Sequence, residues 1–124
     1  MFDIDFFKKV NDNFGHLVGD QVLKELARLI QSQLRTSDLL FRFGGEEFIV
    51  VLPQQDAQTA LSIAEKIRVN VASYEFTEAG HISVSLGVTQ YHQGEHLNEV
   101  LTRADAALYQ AKSSDTNNTQ LIEK

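Results

Sequence analysis

The 124-residue sequence contains no cysteine, no tryptophan and one proline. Without cysteine there is neither a disulfide nor a thiolate metal site, and a reducing compartment is permitted though not required. No Pro- or Gly-rich linker, internal repeat or low-complexity block interrupts the chain. The longest apolar run, Phe48 to Leu52, falls far short of the ~20 residues that a membrane helix needs. The opening MFDIDFFKK carries acids where a secretory leader has a basic start and an apolar stretch. Positive charge is scarce as well: 11 Lys and Arg against 17 Asp and Glu leave a net charge of −6. That balance provides no basic stripe for tracking a nucleic-acid backbone, so no nucleic-acid partner is expected. It suits a protein that holds metal cations beside a small phosphorylated ligand. A Gly-x-Ser-x-Gly elbow, a Walker loop and an HExxH pair are all missing, which leaves nucleophilic and zinc-hydrolase chemistry without support.

What remains is ordinary globular material, 43% hydrophobic and 23% charged. This is enough for one domain with a real core and too apolar for disorder. Phe6 to Phe14 reads as a short helix closed by Gly15. A tight GHLVGD turn then leads to Asp20 as the N-cap of a helix running to about Arg35, with Val22, Leu23, Leu26, Leu29, Ile30 and Leu34 on one stripe. Leu39–Phe43 and Phe48–Leu52 flank Gly44-Gly45-Glu46-Glu47 as a hairpin, and Pro53 ends its second strand. Asp56 caps a helix carrying Ala57, Ala60, Leu61, Ala64, Ile67 and Val71. Alternation from Ile82 to Thr89 gives a strand with one apolar and one small polar face. A last helix spans about His96 to Lys112, and a polar, frayed tail follows from Ser113. The expected fold is α+β, a mainly antiparallel sheet flanked by helices. Only Met1 and Phe2 precede Asp3, so any strand entering that first turn is a stub.

Read without further context, Glu46 and Glu47 are a solvated hairpin tip, or a pair of acids screened by a cation. DIDFF starts like a calcium loop, but Phe7 stands at the third ligand position and the required glycine and distal Glu are absent. His92 and His96 have helical spacing with Gly94 between them, and they read as loop residues. His16 and His81 are lone imidazoles.

Several patterns nevertheless occur in order: DIDFFKKVNDNFGHLVGD at 3–20, RTSD at 35–38, RFGGEEF at 42–48, SLGV at 85–88 and ADAALYQAK at 104–112. Together they resemble the GGDEF family of bacterial diguanylate cyclases in its GGEEF spelling. The resemblance implies a nucleotide-cyclase or polymerase-palm-like fold over residues 1–112, with its N-terminal strand largely missing, and a polar tail at 113–124. It implies condensation of two GTP into cyclic di-GMP and two pyrophosphates, performed between two subunits about a two-fold axis with Mg²⁺ or Mn²⁺. A non-catalytic cyclic di-GMP receptor and an inactive cyclase fragment are the alternatives.

By the same resemblance, Asp3, the carbonyl of Ile4 and Glu46 are metal ligands. Glu47 assists the metal or the attacking hydroxyl, so Asp3, Glu46 and Glu47 form the catalytic set. Backbone amides near Phe6 and Phe7 suit phosphate oxygens, and Lys8 and Lys112 contact phosphates. Asn11 and Asp20 read guanine, against the plain alternatives of a surface residue and an N-cap. Gly44 and Gly45 let the nucleotide approach the hairpin backbone. Arg35 and Asp38 match an inhibitory RxxD site for the product, although an isolated RxxD is simply an arginine near a helix end. Two departures stand out. Asp115-Thr116-Asn117 replaces the family's Gly-Arg-Asn, which implies weaker GTP affinity. The family's upstream Leu-Thr-Gly-Leu segment, helix and most of the central strand do not precede Asp3. The resemblance also implies an upstream sensory or receiver domain, with the catalytic part in the bacterial cytoplasm and making no membrane contact itself, even where an upstream region anchors the whole.

Overall fold

A computed structural model describes all 124 residues. Along the chain run β1 (Phe2–Ile4), α1 (Phe7–Phe14), α2 (His16–Gln31), β2 (Leu39–Gly44), β3 (Glu47–Val51), α3 (Ala57–Ser73), β4 (Glu75–Phe76), β5 (Gly80–His81), β6 (Val84–Val88), α4 (Leu97–Ser114) and β7 (Thr119–Leu121). The main sheet has the order β2-β3-β1-β6-β7, antiparallel throughout except for the parallel β6–β7 pair. No helix is long and apolar enough to cross a membrane.

The stub β1 is three residues long and pairs on both sides. Phe2 faces Phe48 on β3 and Leu86 on β6, so the centre of the sheet is filled rather than left as two bare edges. Alternation then sorts the side chains. Phe2 and Ile4 join Phe48, Val84, Leu86 and Val88 on one face, where Val22, Leu26 and Ile30 of α2 and Ile67 and Val71 of α3 complete the core. Phe2 stacks on Phe48 with ring centroids 5.2 Å apart. The opposite face carries Asp3, with Glu47 and Ser85 as its partners on the two flanking strands.

Helix α4 packs on that second face, and Gly87 is the reason it can. A Cβ at Gly87 would meet the α4 backbone at Leu108 N and Ala104 O and lie 2.9 Å from the Ala107 carbonyl carbon. With helices on both sides, all five residues of β6 are buried. The small polar face expected from its alternation is therefore not solvated. The hairpin extends beyond α4, and on that side Leu39, Phe41 and Val51 are 49%, 49% and 42% exposed.

Several expectations are corrected. GHLVGD is not a turn, because Gly15 alone reverses the chain at φ 89° and the helix resumes at His16. Asp20 therefore lies inside α2 and is no N-cap. Helix α2 stops at Gln31, and Leu34 follows in turns. The tail is not frayed. After α4 the Asn117 N–H donates to Asp5 Oδ2 (2.8 Å), and Thr119–Leu121 then pairs in parallel with Leu86–Val88. A helix is the connection that two parallel neighbours require, and α4 supplies it. The small β4–β5 hairpin was not anticipated. It is tethered to α2 by the buried Glu25 carboxylate, which accepts from Thr77 N, Thr77 Oγ1 and, at 3.5 Å, Tyr74 OH.

Candidate active site

Asp3 occupies the middle of the sheet and is 5% exposed. The Lys112 ammonium, near the end of α4, sits 2.7 Å from both carboxylate oxygens but is aligned as a hydrogen bond only to Oδ2. Asp3 Oδ1 is buried with no hydrogen-bond partner. Burial pushes this carboxyl above its ordinary range, and the charges of Glu46 and Asp5 push the same way against the pull of Lys112. Glu46 sits in the hairpin turn and Glu47 opens β3 as the cross-strand partner of Asp3; both are half-buried. The turn is braced by Arg42, whose Nε donates to Gly45 O at 2.9 Å. Gly45 has φ 50°, and the space where a Cβ would stand at Gly44 or Gly45 is open.

Asp5, two residues on, is fully committed. Its carboxylate accepts from Ser83 Oγ (2.6 Å), Ser85 Oγ (2.7 Å) and Asn117 N (2.8 Å), tying β1 to β6 and to the turn after α4. No three carboxylate or imidazole side chains converge on one point. A divalent cation here would rely on Asp3, Glu46 and a main-chain oxygen, and the Ile4 side chain is in the core, leaving its backbone for that role. Hard oxygen donors of this kind fit Mg²⁺ or Mn²⁺.

Beside the acids, the chain turns into α1 through Phe6, a left-handed residue at φ 56°, and no side chain caps the helix. Lys9 Nζ lies 4.9 Å over the Phe6 ring, while the side chain of Lys8 is exposed. Phe7 and Asn11 face α2, where Gly19 makes room for them: a Cβ there would fall on Asn11 Oδ1 and lie 3.4 Å from Phe7 Cζ. Asp20 follows Gly19 and is exposed. The seam between the two helices is thus formed by Phe7, Asn11 and Gly19. The other face of α1, with Phe6, Lys9, Val10, Asn13 and Phe14, lines a separate groove of about 360 Å³ floored by Asp5.

Arg35 and Asp38 form their own unit. Arg35 donates from Nη2 to Asp38 Oδ1 (2.7 Å), from Nε to the same carboxylate (3.1 Å) and from Nη2 to Pro53 O (2.9 Å). The fork from Arg35 holds the Asp38 carboxyl below its ordinary range, and Asp38 raises Arg35 in return. Six residues of β2 separate this pair from the Gly45–Glu46 turn, roughly 20 Å of extended chain.

A helix-flanked mixed sheet that presents a buried aspartate beside a Gly-Gly-Glu-Glu turn places the chain among α+β domains built around an acidic hairpin. Residues 1–118 match the family model described as "Diguanylate cyclase, GGDEF domain", and the chain belongs to that family. The diguanylate cyclase DgcM of Escherichia coli is 45% identical over 117 residues, which are 94% of this chain and 28% of that protein. The chain thus spans little more than a quarter of that curated relative. The solved active GGEEF domain of a Vibrio cholerae diguanylate cyclase aligns with a TM-score of 0.92 at 42% identity, covering 99% of this chain and 80% of that one. The GGDEF domain of DgcB from Caulobacter crescentus, solved in complex with c-di-GMP, aligns at 0.90 with 36% identity, over 97% of this chain and 74% of that one.

Three features of the site escaped the sequence. The Lys112–Asp3 pair joins residues 109 positions apart. The Arg42 brace looked like an ordinary strand residue. The partners of Asp5 lie on β6 and beyond α4, although the two serines of SVSLGV were a usable hint, since a polar face on a buried strand needs a partner.

Proposed function

We propose that this chain is a diguanylate cyclase domain, joining two GTP molecules into cyclic di-GMP with release of two pyrophosphates. The observation that carries the reading is Asp3: a buried carboxylate neutralised by the Lys112 ammonium, beside the Glu46 turn, in a chain of the GGDEF family. A divalent cation held by Asp3, the Ile4 carbonyl and Glu46 would neutralise triphosphate charge and favour ionisation of the attacking hydroxyl.

The protein's own groups do the rest. Backbone N–H groups at the uncapped start of α1, near Phe6 and Phe7, and the side chains of Lys8 and Lys112 hold phosphate oxygens. Asp20 accepts from guanine N1–H and its exocyclic amine, and Asn11 binds the same base edge; adenine cannot satisfy this donor pattern. Glu47, the carboxylate adjoining Asp3, receives the proton of the 3′-hydroxyl or orients it. The O3′–Pα bond forms as the bond from Pα to the pyrophosphate oxygen breaks. Because each subunit holds one GTP, two chains face each other about a two-fold axis, and each supplies the nucleophile for the other. Arg35 and Asp38 bind cyclic di-GMP away from the acids and restrain product formation. The reading extends to an upstream sensory or receiver domain and a bacterial cytoplasmic location.

The test is incubation of the chain with GTP and Mg²⁺ and detection of cyclic di-GMP by mass spectrometry. Product that disappears in Glu46→Gln is the expected result. Absence of product together with tight cyclic di-GMP binding would replace the cyclase with a receptor, and absence of both would leave an inactive member of the family.

A further inference from the structure

We propose that Lys112 is the resting counter-ion of the cation site, so that the cation and the nucleotide load together rather than one after the other. This rests on the metal reading of Asp3 and Glu46 given above. The ammonium sits against both oxygens of Asp3. It comes from α4, whose position is fixed by the close approach at Gly87 and by the buried Ala104, Ala107, Leu108 and Ala111. The Lys112 side chain is itself 37% exposed, which leaves it room to swing off Asp3.

Without a bound cation, Asp3 lies buried beside Glu46 and Asp5, an arrangement in which like charges repel. Lys112 is the only cation within ion-pair distance of Asp3. A dication entering at Asp3 meets that ammonium at close range, and the two repel. The repulsion is relieved when a triphosphate arrives, because its oxygens give the displaced ammonium a new anionic partner. Lys112 therefore suppresses binding of bare cation and favours the cation–nucleotide complex. By reciprocity, the nucleotide strengthens the cation by the same factor that the cation strengthens the nucleotide.

The test measures Mn²⁺ binding by titration calorimetry and by the rise in melting temperature, first without nucleotide and then with a non-hydrolysable GTP analogue. Lys112→Met is expected to bind Mn²⁺ alone roughly tenfold more tightly than wild type, within the range typical of coupling between sites. It is also expected to lose most of the gain that the analogue confers. Lys112→Arg, which keeps the charge, should behave like wild type. If Lys112→Met proves too unstable for calorimetry, the Mn²⁺ dependence of its melting temperature carries the same comparison, and it should be steeper than that of wild type. Unchanged or weaker Mn²⁺ binding in Lys112→Met overturns the proposal and reduces Lys112 to a clamp between α4 and β1. A separate outcome addresses the underlying reading: Mn²⁺ binding that survives Asp3→Asn places the cation elsewhere and removes both.

Discussion

Replacing Gly19 by alanine separates folding from nucleotide recognition. The new methyl group would fall on Asn11 Oδ1 and lie 3.1 Å from Asn11 Cγ, while Phe7 Cζ, at 3.4 Å, stays at the edge of ordinary contact. What must yield is the end of one side chain, and Asn11 makes no side-chain hydrogen bond that moving would break. Turning it away costs about 0.5–1.5 kcal/mol. Against this, an alanine in a helix interior is favoured over glycine by about 1 kcal/mol. The two nearly cancel, so the urea midpoint followed by circular dichroism should move by less than about 0.5 M. Guanine recognition should not escape. With Asn11 swung off the α1–α2 seam, the polar contact to the base proposed for it would be lost, worth about 1–3 kcal/mol, and GTP affinity by calorimetry should fall roughly tenfold or more. Asn11→Ala should reproduce that loss, and the double variant should add little to it. A midpoint lowered by more than about 1 M would show that the helices jam rather than the side chain yielding. An unchanged midpoint with unchanged GTP affinity would remove Asn11 from base recognition.

Gly87→Ala should behave in the opposite way, because the groups in its path are α4 backbone, which cannot rotate aside. About 3 kcal/mol or more of destabilisation is expected, a midpoint drop above about 1 M in urea, and an unmoved midpoint would refute the packing argument. Glu95 is held at a pKa of about 2, chiefly by hydrogen bonds from Arg103, with help from the His92 N–H and Lys124. Its folded pKa lies below its unfolded one. Its contribution is therefore complete above about pH 4.5 and is lost as the pH falls towards 2. The stability gap between wild type and Glu95→Gln should shrink across that window; a constant gap would sink the assignment. For Arg35→Ala, cyclic di-GMP affinity should fall at least about tenfold. On the proposed product feedback, the variant should also accumulate more product than wild type, and undiminished affinity would exclude the RxxD site.

The long helices and the β2–β3 hairpin were legible because they carry many turns of periodic signal. Helix α3 even displays its cap, with Asp56 accepting from Thr59 N at 2.8 Å. β4, β5 and β7 were not legible, since two or three residues contain no period to detect. Asp20 was misplaced for a different reason. Gly15 completes the reversal in a single residue, where a longer turn was expected from Gly15 and Gly19 together. Gly19 serves packing instead. In the site, the acids and lysines stood out only as an ordered set of motifs. Which of them touch was hidden, because Asp3 meets Lys112, and Asp5 meets Ser83, Ser85 and Asn117, across long spans of sequence.

The placement of β1 between β3 and β6 also sets an order in time. Phe2–Ile4 are synthesised before every strand they pair with, yet their second neighbour is not made until Val84–Leu86, and the lysine that neutralises Asp3 comes later still. A nascent chain stopped after the hairpin holds the Gly-Gly-Glu-Glu turn and the aspartate but has no closed sheet to fix them. Such distant pairings close slowly and leave intermediates with apolar strands uncovered. The acidic centre is thus among the last parts of this domain to exist, although Asp3 is made before any of the strands that hold it.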